Sequence, residues 1–158
     1  MFNFFNRRMK NTSAYLAGVV FLFLLDRWLK NWALTELYNQ KINIIKKIFS
    51  LELFQNENVA FSLYLPPAVI LFLVITIISG LTFSLVFRFI KRRERADFMD
   101  IGMLLIIFGA VSNLVDRLRF GFVIDYFNLV YWPVFNLADI MISGGVIILA
   151  VSIWKNKK

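Results

Sequence analysis

The sequence predicts an all-α integral membrane protein with four transmembrane helices and a short-stranded segment beside the bilayer. Three observations carry that prediction. Hydrophobic residues make up 59% of the 158, above the roughly 45–50% of soluble globular chains. Four apolar segments, 13–34, 68–89, 98–115 and 137–154, approach or reach the roughly 20 residues that cross a hydrocarbon core. The cations, 18 Lys plus Arg against 10 Asp plus Glu, cluster at the ends of those segments. No internal repeat, low-complexity stretch or linker interrupts the chain, so residues 1–158 are expected to form one integral membrane domain.

The first apolar run follows Arg7, Arg8 and Lys10 and resembles a secretory signal peptide as far as Leu25. It then continues Asp-Arg-Trp-Leu-Lys-Asn-Trp without a small-x-small cleavage site, so it is expected to stay as a span. After it, residues 42–64 partly alternate at Phe49, Ser50, Leu51, Glu52 and Leu53 and are rich in β-branched and aromatic residues, which favours short strands. Pro66 and Pro67 close that segment. In the second span Thr76, Gly80 and Ser84 recur every four residues, a pattern expected for close helix packing. Trp28, Trp32, Tyr126, Tyr131, Trp132 and Trp154 are expected to anchor the interface.

Orientation follows from the cations, because Lys and Arg in short loops remain cytoplasmic. Arg7, Arg8 and Lys10 precede span one; Arg88, Lys91, Arg92, Arg93 and Arg95 link spans two and three; Lys155, Lys157 and Lys158 close the chain. Both termini are therefore expected in the cytoplasm, with residues 35–67 and 116–136 outside. Cations divided among span ends form no single nucleic-acid interface.

Composition also narrows the chemistry. With no Cys and no His, the chain has no disulfide, thiol nucleophile, imidazole base or HExxH zinc site. The remaining candidates are carboxylates, amines, hydroxyls and amides. A charge deep in a span costs at least about 2.5–3.5 kcal/mol, so each needs a reason. Asp26 and Lys30 stand at i and i+4 on span one, where an intrahelical ion pair that locks the span to its neighbours accounts for both. Gly109, Asn113, Asp116 and Arg117 share one face at the end of span three, as interhelical polar contacts would require. Asn136 and Asp139 have the spacing of an N-cap and a third helical carboxylate.

Asp125, between apolar neighbours, lies on the same outer side as Asp116 and Asp139. Two adjacent carboxylates share a proton, so one can act as base on a water while the other acts as acid on a carbonyl oxygen. An ion or proton relay, or plain helix glue, would use the same residue types. A Ser–Lys peptidase built from Ser50 or Ser62 with Lys46 or Lys47 is a third arrangement, and it needs a buried lysine.

Taken in order, Asp26-Arg-Trp-Leu-Lys30, Asn56-Glu-Asn-Val-Ala-Phe-Ser62, Gly109-Ala-Val-Ser-Asn113-Leu-Val-Asp116-Arg117, Val123-Ile-Asp125-Tyr-Phe127 and Phe135-Asn136-Leu-Ala-Asp139 resemble the motifs of the lipoprotein signal peptidase family, or signal peptidase II. The resemblance implies an intramembrane aspartyl endopeptidase that cleaves signal peptides from diacylglyceryl-modified bacterial prolipoproteins, N-terminal to the lipidated cysteine. It implies Asp125 and Asp139 as the catalytic dyad, with Asn56, Asn113, Arg117 and Asn136 around the substrate. Asp26, Lys30, Gly109 and Asp116 match supporting positions, and the outer segment matches a small extracytoplasmic β-cradle. The expected enzyme is a monomer of the bacterial inner membrane that contacts lipid, binds no nucleic acid and needs no metal or cofactor. Two positions depart from the family pattern: Asn58 replaces a common Gly, which a turn tolerates because Asn enters positive φ more readily than most residues, and Tyr126 replaces the usual Phe.

Overall fold

A computed structural model describes residues 2–57, 65–92 and 97–155, with side chains from 13 onward in the first segment and up to 91 in the second. The order is α1 (Phe2–Glu36), β1 (Lys41–Ile45), β2 (Phe49–Asn56), α2 (Pro67–Arg92), α3 (Phe98–Phe120), β3 (Val123–Leu129) and α4 (Leu137–Lys155). Asn58, Ala60, Phe61 and Ser62 of the second motif, Arg93, Arg95, Lys157 and Lys158 lie outside the described residues.

Among the described residues, three helices are long and apolar enough to cross a membrane: Pro67–Lys91, Phe98–Phe120 and Leu137–Lys155. These make the chain a multi-pass membrane protein. The first expected span, 13–34, lies within α1 but is not among the three; in the described part of that helix Asp26, Arg27 and Lys30 interrupt the apolar run.

Helices α3 and α4 pack most closely. A Cβ on Gly109 would lie 2.6 Å from the Ala138 carbonyl oxygen, and Gly102 and Gly145 meet at similar range, with a Cβ on either 2.9 Å or 2.7 Å from the other's carbonyl oxygen. Only glycine admits so close a backbone crossing. The stripe expected on α2 is different: a Cβ on Gly80 would meet nothing within 4 Å, and the Thr76 hydroxyl turns back to the Phe72 carbonyl at 2.7 Å. Thr76 and Gly80 face outward because α2 spends its few inward contacts elsewhere, as at buried Ile70.

The strands form one antiparallel sheet in the order β1-β2-β3. Between α1 and α2 the expected strands occur as β1 and β2, joined through a turn where Lys47 takes φ 62°. The pattern around Asp125 did not announce β3, which pairs with β2 from Phe49↔Leu129 to Asn56↔Val123, with an irregularity between Leu51 and Phe54. Ala33 of α1 and Leu37, just past its end, meet Ile124 and Tyr126 of β3 in a small buried core that seats the sheet on the helices.

Helix α3 runs past the expected end at 115 to Phe120, so Asp116 and Arg117 remain helical. It stops at Gly121, whose φ of 85° suits a left-handed cap and whose amide donates to the Arg117 carbonyl at 3.0 Å.

Candidate active site

Asp125 and Asp139 arrive on different elements. Asp125 is wholly buried in mid-strand on β3. Asp139 stands at the third position of α4, where it completes a capping box with Asn136. The Asp139 amide donates to Asn136 Oδ1 at 2.9 Å, and the Asn136 amide donates to Asp139 Oδ2 at 3.1 Å. The expected cap is therefore present, and it fixes the carboxylate that it employs.

A short return segment joins strand and helix. The Tyr126 and Phe127 amides donate to the Phe135 carbonyl at 3.1 and 2.8 Å, and the Phe135 amide donates to the Phe127 carbonyl at 3.1 Å. Asn136 is thereby placed against β3, where its side-chain amide donates to Asp125 Oδ1 at 2.6 Å. Asn56, on β2, donates to Asp125 Oδ2 at 2.8 Å. Asn113 of α3 donates to Asp139 Oδ1 at 2.8 Å. One asparagine thus bonds both acids, and each carboxylate oxygen accepts a proton donor.

Beneath them lies a buried ion network. Lys30 reaches Asn113 Oδ1 at 2.7 Å, Asp116 Oδ2 at 2.7 Å and Asp26 Oδ2 at 3.3 Å. A lysine ammonium only donates, so Asn113 must turn its oxygen to Lys30 and its NH2 to Asp139. Arg27 pairs with Asp116 and donates to the Ser112 carbonyl at 3.2 Å, while the Ser112 hydroxyl donates to Asp26 Oδ2 at 2.6 Å. Two acids balance two bases, as burial requires. Among the described residues no buried side-chain polar atom lacks a partner.

Burial, and after it the neighbouring Asp139 charge, pushes the Asp125 carboxyl up to about 7, against hydrogen bonds from Asn56 and Asn136 and the charge of Lys30, which hold it down. Half-buried Arg117 faces Asp139, Asp125 and Asp116 electrostatically. A carboxyl poised near neutrality beside a second one is able to share a proton and activate water.

All the expected site residues with described side chains meet at this junction: Asp26, Lys30, Asn56, Gly109, Asn113, Asp116, Arg117, Asp125, Asn136 and Asp139. The Asp26–Lys30 pair is present but is also interhelical, with partners on α3, β3 and α4. Arg27, Ser112 and Tyr126 were missed. Arg27 lies inside the first motif and Ser112 sits one helical turn before Asp116, which was the available signal. Tyr126, expected as an interface anchor, is instead wholly buried. Its phenol is pushed far above its ordinary range by burial and the Asp26 charge, and so remains protonated. The Ser–Lys alternative finds Lys46 and Lys47 exposed, without the burial that a lysine base requires.

The profile of signal peptidase (SPase) II matches residues 18–155. The chain belongs to the signal peptidase II family. It is an aspartic peptidase of membranes. Lipoprotein signal peptidase of Clostridium novyi is 38% identical over 146 residues, 89% of this chain and 97% of that one. The enzyme of Halothermothrix orenii is 38% identical over 141 residues, covering 89% and 94%. The fold is similar to a bacterial membrane enzyme solved by the in meso method at 2.3 Å, with TM-score 0.80, 23% identity and coverage of 92% of this chain and 90% of that chain. A second such enzyme, solved at 1.9 Å, gives TM-score 0.74 at 23% identity, covering 89% and 92%.

Proposed function

We propose that this signal peptidase II cleaves diacylglyceryl-modified prolipoproteins N-terminal to the lipidated cysteine, with Asp125 and Asp139 as the catalytic dyad. The observation that carries this reading is Asn136, which holds both carboxylates at the junction of strand and helix. The ionised member takes a proton from a water as its oxygen attacks the scissile carbonyl carbon. The protonated member gives its proton to the carbonyl oxygen, leaving a neutral gem-diol. Collapse returns one hydroxyl proton to a carboxylate, while the other carboxyl protonates the leaving nitrogen as the C–N bond breaks. Arg117 and Asn56 flank the dyad and would hold the substrate backbone.

In this reading α1 is a fourth span, made tolerable by the internal pairing of its charges. Both termini are cytoplasmic, the site opens at the outer surface of the bacterial inner membrane, and the enzyme works as a monomer in contact with lipid. The substrate's acyl chains lie against Phe- and Leu-rich helix surfaces. The test is cleavage of a diacylglyceryl-prolipoprotein by Asp125→Asn and Asp139→Asn variants. Each should lose at least about 10²-fold in kcat; near wild-type turnover by either would remove it from the dyad.

A further inference from the structure

We infer that Tyr126 is a positioning residue for the dyad: its phenol ties the first turn of α4, which carries Asp139, to the strand that carries Asp125. The inference rests on the proposed dyad. The ring is wholly buried and packs in the core with Ala33 of α1, Leu37 just past its end and Ile124 of β3, so the oxygen has a fixed place. From there it donates to Asp26 Oδ1 at 3.2 Å and accepts from the Leu137 amide at 3.1 Å.

The first amides of a helix have no partner inside it. In α4 the Leu137 amide goes to Tyr126, the Ala138 amide to Asp26 Oδ1 at 3.0 Å, and the Asp139 amide to Asn136 Oδ1 at 2.9 Å. The first of these partners belongs to β3 and the second to α1. They also bond each other, so the place of the helix start is decided by two elements outside it. Tyr126 is the nearer link to the reaction, one residue from Asp125 and bonded two residues before Asp139. A phenylalanine there would fill the core equally well; only the hydroxyl makes this tie. Because the ring is sealed from the surface, it acts on the placement of the acids and not on substrate capture.

The test is Tyr126→Phe in the full chain, purified in lipid or detergent and assayed on a diacylglyceryl-prolipoprotein, with rates referred to folded enzyme. A drop in kcat of about tenfold with KM within twofold is expected, together with faster exchange of the Leu137 amide measured by hydrogen–deuterium exchange. Unchanged kcat, or a fall accounted for by lost folded enzyme alone, would overturn the inference. Asp139→Asn assayed in parallel separates the two ideas. Its loss of turnover beside an unimpaired Tyr126→Phe sinks only the role of Tyr126, whereas an active Asp139→Asn sinks the dyad and the positioning role with it.

Discussion

Asp125 shows what burial does to a single side chain. An aspartate of the unfolded chain loses its proton near 3.8, while in the folded enzyme this one holds it to about 7. Between those values the folded state binds more protons than the unfolded one, so the contribution of Asp125 is full below about pH 4 and stability falls as pH rises toward 7. Asp125→Asn carries no such proton. Wild-type melting temperature should therefore decline relative to the variant between pH 4 and 7, with a free-energy difference of at most a few kcal/mol. Thermal unfolding across that pH range checks this, and parallel curves for the two proteins would contradict it. The residue types were legible beforehand: without Cys or His, Asp116, Asp125 and Asp139 were the available groups for water activation. Their proton affinity was not, because it depends on burial and on Asp139, which is distant in the chain.

At the scale of elements, the capping box of α4 was readable from Asn136 and Asp139, since it needs only local spacing. The end of α3 was not placed correctly, because polarity at Asp116 looked like a boundary while the helix continues to the left-handed cap at Gly121. Helix packing divides the small residues in the same way. Gly109→Ala would force its methyl against the Ala138 carbonyl, 2.6 Å away, one residue before Asp139. We expect about 1–3 kcal/mol of destabilisation and up to about 10²-fold loss of kcat from displacement of the acid. Gly80→Ala meets nothing within 4 Å and should leave activity intact and stability unchanged or about 0.5–1 kcal/mol higher. Thermal unfolding and turnover of the two variants give the comparison; similar penalties in both would refute the α3–α4 contact as the cause.

For the whole molecule, the proposed orientation reads the excess of cations as a topology signal. The absence of native cysteine makes that directly measurable with single-cysteine variants. Lys46→Cys, on the exposed β1–β2 turn, should react with a membrane-impermeant maleimide applied to cells or spheroplasts. Lys91→Cys, exposed near the end of α2, should react only after permeabilisation. The reverse pattern would invert the proposed orientation. By itself the sequence determined the membrane class, the apolar spans α2, α3 and α4, the helix cap and the set of polar residues that had to be explained. These follow from composition and from spacing within one element, where the chain's own periodicity is the cause. The tertiary structure decided that Asp125 lies on a strand, that Tyr126 is an internal tie and not an interface anchor, and that Lys30 orients Asn113 toward Asp139. Those outcomes required residues far apart in sequence to enter one largely buried junction, where each buried donor and acceptor had to find a partner.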